Sequence, residues 1–275
     1  MNFYTTVLGS GAAIPTLARH CSGQVVNING FRFLLDCGEG SQNQIRAYHL
    51  RLLSIDLVCI SHLHGDHFFG LPGLLATMHL CGRTNPVTII GPEGIRDVLD
   101  TLFEKTSTHL DFELVIHELP WVEQDDEVFV SPMRQVFENR QCVISAFPII
   151  HSVPTFGYRI DEKPRGQLSL PRSYAYCCDT AYTEAILPNI QGVSLLCLEC
   201  TFDDAFASVA DEKKHLTASR AARLALLAQP KQLLLTHFSA RFKTIDGLQQ
   251  CASAIFQNTL MAEDGVAYGV GCKKS

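Results

Sequence analysis

With 275 residues, of which 47% are hydrophobic and 18% charged, the chain can bury a sizeable core in one large α/β domain or two smaller ones. A formal charge of −6 and a pI near 6.0 exclude a global positive field, so any polyanionic partner has to be gripped locally. No run approaches the roughly 18 to 20 apolar residues of a membrane-spanning helix, and the opening MNFYTTVLGSG lacks the basic and apolar regions of a signal peptide, so the chain reads as soluble and cytoplasmic.

In chain order, FYTTVLG, QVVNI, FRFLLD, LVCIS and VTIIG are short, apolar and β-rich and predict strands, and EGIRDVLDTLFEKT predicts a helix after the last of them. The second half repeats the manner. CVISAFPII, FGYRI, YAYCC, SLLCLECT, QLLLTHF and VAYGV predict strands, while ADEKKHLTASRAARLALLAQ has the 3.6-residue period of one long helix. No Gly/Ser linker, low-complexity segment or short repeat separates the halves, which favours a single domain over residues 1–275 built from two similar α/β halves. The eleven cysteines are scattered and mostly sit in apolar runs, as reduced core residues do, and the one C-x-x-C pair, Cys197 and Cys200, falls in such a run.

The sharpest local signal is SHLHGDHFFG. His62, His64, Asp66 and His67 follow a strand ending near Ser61, which places them on a strand-to-helix loop at the carboxyl end of a sheet, where α/β folds gather ligands. In an extended segment His62 and His64 share a side, and past Gly65 the chain can turn Asp66 and His67 toward a neighbouring point, so one loop can serve two metal ions. Further ligands are expected at later strand ends: His151 after AFPII, Asp179 after YAYCC and His237 after QLLLT. They complete two sites, His62, His64 and His151 around one ion and Asp66, His67 and His237 around the other, with Asp179 bridging.

This set resembles the metallo-β-lactamase superfamily, and the residues between the ligands resemble its tRNA 3′-processing branch, ribonuclease Z. The resemblance runs from Leu8 to Arg241 through LGSGAAIPT, LLDCGEGSQNQ, SHLHGDHFFGLPGLL, HSVPTFGY, YCCDT, ECTF, HLTASRAA and LTHFSAR. It implies an αββα sandwich with two similar halves packed sheet to sheet, two zinc ions per chain, removal of the 3′ trailer from precursor tRNA or processing of another RNA, and a homodimer. An imidazole-rich, thiolate-free ligand set favours Zn²⁺, with Mn²⁺ or another divalent ion as a substitute.

Within that frame Asp66 is expected to orient the attacking water and take its proton, and Asp36, at the end of FRFLLD, to fix a ligand histidine from outside. His215, at the start of HLTASRAARLALLAQ, is the candidate general acid for the leaving oxygen, with Glu199 as its carboxylate partner. Ser239 and Arg241 are placed to grip a phosphate. Where most ribonuclease Z proteins carry a long tRNA-gripping arm, this chain has only RIDEKPRGQLSLPRS, a loop over residues 161–173 whose basic residues are Lys163, Arg165 and Arg172. Lys213, Lys214, Arg220 and Arg223 are further basic candidates. Three other readings share parts of the pattern: a phosphodiesterase on small diesters such as cyclic nucleotides, a thioester or lactone hydrolase, which would not require Glu199, His215 or Arg241, and a non-catalytic metal-binding regulatory domain.

Overall fold

The structure, a computed structural model, describes residues 3–122, 129–164 and 171–271. The chain forms two compact units. One runs to Trp121 and includes Glu263–Ala267; the other runs from Val122 to Ala262 and resumes at Tyr268.

The first unit contains, in chain order, β1 (Phe3–Gly9), β2 (Gly11–Ala12), β3 (Gly23–Ile28), β4 (Phe31–Cys37), α1 (Ser41–Ala47), β5 (Ile55–Cys59), α2 (Gly65–Phe68), α3 (Gly70–Leu80), β6 (Val87–Pro92), α4 (Ile95–Lys105) and β7 (Leu114–Leu119). Its sheet has the order β16-β1-β3-β4-β5-β6-β7, with β16 (Ala267–Gly269) at the edge beside β1. The pairs β1/β3 and β3/β4 are antiparallel, and β4/β5, β5/β6 and β6/β7 are parallel. The β3–β4 hairpin closes on Asn29-Gly30, both at positive φ (55° and 96°), the backbone that a two-residue type I′ loop requires. Segment Glu263–Ala267 returns beside β1, where Val7 N–H donates to the Val266 carbonyl at 3.1 Å. Buried β5 and β6 read as nearly continuous apolar runs because parallel strands are covered on both faces.

The second unit repeats the plan with β8 (Arg134–Glu138), β9 (Cys142–Ile149), β10 (Thr155–Glu162), β11 (Ser173–Cys177), α5 (Leu187–Ile190), β12 (Leu195–Glu199), α6 (Ala207–Lys213), α7 (Ala218–Ala228), β13 (Leu233–Thr236), β14 (Phe238–Ser239), α8 (Asp246–Ile255) and β15 (Thr259–Met261). Its sheet order is β15-β13-β12-β11-β10-β9-β8. Strands β8 to β11 pair antiparallel, and β11/β12, β12/β13 and β13/β15 pair parallel.

Two expected elements are broken at candidate site residues. The single helix expected from Ala210 onward is two helices: Lys214 turns left-handed (φ 54°), the His215 N–H closes onto the Ala210 carbonyl at 2.8 Å, and α7 begins only after Thr217. His215 therefore lies in the turn between helices and not at a helix start. The strand expected over QLLLTHF stops at Thr236, because His237 has φ 60°. All ten described cysteines are free thiols and eight are buried; burial pushes the Cys37 and Cys142 thiols up to about 12, and pushes Cys200 of the C-x-x-C pair well up, which suits packing rather than redox use. Arg165 of the expected basic loop lies outside the described residues.

Candidate active site

In the first unit the H-x-H-x-D-H run leaves the end of β5 and enters α2, so His62 and His64 sit on extended backbone and Asp66 and His67 in the first turn of a helix. Each ring has an assignable orientation. Asp36 is fully buried and accepts the Ser61 N–H at Oδ1 (2.7 Å), and the Ser61 hydroxyl (2.9 Å) and His67 Nδ1 (2.7 Å) at Oδ2. Since the one hydroxyl proton of Ser61 goes to Asp36, its oxygen accepts from His62 Nδ1 at 3.0 Å, which leaves the lone pair of His62 on Nε2. That Nε2 lies 3.1 Å from His64 Nδ1, and two imidazole lone pairs this close need a proton or a cation between them. By the same reasoning His67 carries its lone pair on Nε2, 3.5 Å from Asp66 Oδ2, and Asp66 Oδ2 accepts the Ala13 N–H at 2.8 Å. The run is held close to the end of β4 by Gly38: a Cβ there would fall 2.1 Å from the Asp66 carbonyl oxygen, so no other residue fits.

In the second unit His151, Asp179 and His237 each follow a strand end, as expected. His151 Nε2 is 3.7 Å from Asp179 Oδ2 and His237 Nε2 is 3.2 Å from Asp179 Oδ1, so one carboxylate serves two imidazoles, one on each oxygen. His151 Nδ1 donates to the Lys214 carbonyl at 3.2 Å, an acceptor exposed by the break between α6 and α7. Burial, ahead of the opposing pull of Asp179, holds the His151 ring below its ordinary pKa and therefore neutral, as a ligand has to be. His237 is oriented by Thr201, whose hydroxyl gives its proton to Glu199 Oε2 (2.6 Å) and accepts from His237 Nδ1 (2.9 Å). Asp179, His215 and His237 present ligand atoms within 4.8 Å of one another.

Glu199, at the end of β12, is fully buried and accepts from Thr180 N–H (2.8 Å), Thr201 Oγ1 and His215 Nδ1 (2.8 Å). The expected Glu199–His215 pair is thus formed, and Thr201 ties it to the candidate ligand His237. Of the eight non-glycine residues at positive φ among the described residues, four belong to this arrangement: Ala13 supplies the N–H to Asp66, Asp36 holds His67, Lys214 offers the carbonyl to His151, and His237 is itself a candidate ligand. Each costs roughly 1–3 kcal/mol, and such strain persists where the surrounding fold over-determines it.

Ser239 and Arg241, expected to grip a phosphate, touch each other: Arg241 Nε donates to Ser239 Oγ at 3.1 Å. The two described basic residues of the loop are instead tied to acids. Lys163 pairs with Glu138, and Arg172 forms a two-pronged pair with Glu162, both bonds 2.7 Å. Arg220 binds Asp211 and Lys213 binds Glu212, so neither adds an uncompensated charge.

Ser61, Thr201, Thr180, the Ala13 N–H and the Lys214 carbonyl were not anticipated. The two residues that act through their hydroxyls carried a usable signal, since Ser61 directly precedes His62 and Thr201 stands two places beyond Glu199; the main-chain groups, the Thr180 N–H among them, carried none.

Residues 31–238 match the Beta-lactamase superfamily domain. Ribonuclease Z of Porphyromonas gingivalis is 33% identical to this chain, covering 95% of it and 97% of the relative, and that of Bacteroides fragilis is 32% identical, covering 96% and 98%. The chain belongs to the ribonuclease Z family. The crystal structure of human tRNase Z, short form, superposes with a TM-score of 0.83 at 35% identity, covering 97% of this chain and 99% of that one. Membership of the ribonuclease Z family brings with it the metallo-β-lactamase fold, mixed α/β with two sheets and helices, which is the element content of the two units. The alignment with the P. gingivalis ribonuclease Z spans 304 positions, more than the 275 residues here, so that relative carries insertions that this chain lacks. The His/Asp clusters are of the kind that holds divalent metal, with one ring nitrogen of His62, His67, His151 and His237 fixed by Ser61, Asp36, the Lys214 carbonyl and Thr201 respectively.

Proposed function

We propose that the chain is a metal-dependent endoribonuclease that removes the 3′ trailer from precursor tRNA. The observation that carries this reading, beside the family, is the pair of buried Glu199 and partly exposed His215, linked through Thr201 to His237; thioester or lactone hydrolysis would not require it. The ligands proposed are His62, His64 and His151 for one ion, Asp66, His67 and His237 for the other, and Asp179 shared, with zinc as the metal. When bound, such ions lower the pKa of a water and offset the charge that builds on the phosphoryl group.

The chain's own side chains then do the following. Asp66, its Oδ2 anchored by the Ala13 N–H, accepts a proton from the attacking water. The water oxygen bonds phosphorus as the bond to the tRNA 3′ oxygen breaks. His215, its Nδ1 fixed on Glu199, delivers a proton from Nε2 to that leaving oxygen, which yields a tRNA 3′-hydroxyl and a trailer with a 5′-phosphate. Ser239 and Arg241 bind the non-bridging oxygens. Asp36 orients His67 and, through Ser61, His62. The reading extends to a single hydrolase domain, a homodimer and a cytoplasmic setting.

Incubation of purified protein with precursor tRNA and with bis-p-nitrophenyl phosphate in parallel tests the assignment. Cleavage at one 3′ site with a free 3′-hydroxyl is expected. Diester hydrolysis without tRNA cleavage would make the chain a small-diester enzyme, and fewer than one transition ion per chain after loading with Zn²⁺ or Mn²⁺ would remove the metal centre.

A further inference from the structure

We propose that Phe202 and Phe206 are positioning residues that hold the Arg241 guanidinium ready for the substrate phosphate. The inference rests on the reading of Arg241 as a phosphate contact, and it assigns the means by which that contact is kept in place. The Arg241 Cζ lies 4.7 Å from the ring centroid of Phe202 and 4.7 Å from that of Phe206, within the range of attraction between a cation and a ring face. Its Nε is tied to Ser239 Oγ, which leaves the outer nitrogens to point at an anion.

The way this arginine is held sets it apart from others in the chain. Arg83, Arg159, Arg172 and Arg220 are each held by a carboxylate, which fixes the side chain and cancels its charge. Among the described residues Arg241 has no carboxylate partner. Two ring faces restrict a guanidinium without neutralising it, so the full positive charge stays available to a phosphate and part of the ordering cost is met before substrate arrives.

The two rings play unequal parts. Phe202 is buried and pinned on both sides: its N–H donates to the Leu216 carbonyl (3.2 Å), its carbonyl accepts the Ala218 N–H (3.0 Å), and its ring meets the His215 ring edge-on at 5.9 Å. It is therefore a fixed wall between the candidate acid and the candidate phosphate grip. Phe206 is 36% exposed, closes the short turn Asp204–Phe206, and packs edge-on against Phe242 at 6.2 Å. It is the wall that can be changed without opening the core.

The test is a double-mutant cycle on the metal-loaded protein, with KM and kcat for precursor tRNA and the melting temperature of each variant. Arg241→Ala is expected to raise KM about tenfold or more, as loss of a charge-assisted contact does. Phe206→Leu, which keeps an apolar side chain and removes the ring face, is expected to raise KM about three- to tenfold with kcat within about twofold. Phe206→Tyr should restore the wild-type value, and Phe206→Leu should add nothing further in the Arg241→Ala background. An unchanged KM for Phe206→Leu overturns the inference, as does the same rise in both backgrounds, which would mean that Phe206 touches the RNA itself. An unchanged KM for Arg241→Ala would remove the phosphate reading itself. Should Phe206→Leu melt early, Phe206→Met supplies the same comparison.

Discussion

In the first unit four candidate ligands fall within six consecutive residues and two of the three rings take their orientation from one side chain, Asp36, directly or through Ser61. In the second unit three candidate ligands stand on three separate strand ends, and their orienting groups are a main-chain carbonyl, that of Lys214, and a hydroxyl, that of Thr201. The first cluster is compact and oriented independently of the proposed proton donor. The second shares Thr201 with Glu199, so ligand orientation and acid chemistry there are joined through one oxygen. Orientation of the candidate ligands and delivery of the leaving-group proton should accordingly be separable by mutation in the first cluster and entangled in the second.

The largest effects should come from the carboxylates among the ligands. Asp66→Ala is expected to lose activity by several orders of magnitude, because metal coordination and water activation fail together. Asp179→Ala should lower the content of both ions, as a carboxylate with one oxygen toward each of two imidazoles implies, whereas His151→Ala should chiefly lower one; metal analysis by mass spectrometry separates the two results. Equal loss from both variants would deny Asp179 its shared role.

Next in size is the proton donor. His215→Ala should reduce kcat by about 10²- to 10⁴-fold while metal content stays unchanged. Loss of metal in this variant would place His215 among the ligands, and full activity on RNA would leave the acid unassigned.

Orienting residues should matter less, and they test the contrast directly. Asp36→Ala and Thr201→Val are each expected to weaken metal affinity by about 10- to 100-fold in chelator competition. Only Thr201→Val should also alter the pH dependence of kcat, because only Thr201 touches Glu199. A change of similar form in both variants would erase the distinction between the clusters. The smallest effect is expected at the loop: Arg172→Ala removes the partner of Glu162, which is 8% exposed, and should lower stability by about 1–2 kcal/mol, read as a fall of a few degrees in melting temperature, with bis-p-nitrophenyl phosphate hydrolysis unaffected.

The first cluster was legible in the sequence because its chemistry is contiguous: the unbroken apolar run in LVCIS marks a buried strand, and the density of His and Asp just past it has few structural uses. His151, Asp179 and His237 were legible as polar residues that end apolar runs, and Glu199 with His215 through the family resemblance. What was hidden has a common physical character. The turn at Lys214, the carbonyl it frees and the Ala13 N–H are main-chain features, which any residue type supplies. Strand β8 was not predicted because RQVFE lies at the sheet edge with mostly exposed side chains, so no alternation marks it. The acids opposite Lys163 and Arg172 are distant in sequence or across a hairpin, so the loop's formal charge overstated what it offers to RNA.

The break between α6 and α7 also bears on how the protein can change over generations. Because His151 is aimed by a carbonyl, no side-chain substitution at Lys214 removes its partner so long as the left-handed turn survives, and asparagine or glycine would keep that turn at least as readily. His67 and His237 depend on Asp36 and Thr201, side chains that one nucleotide change can delete. Drift or laboratory selection toward a different metal should therefore pass through positions 36 and 201 while the aim of His151 stays constant, as an inherited reference point around which the other ligands are retuned.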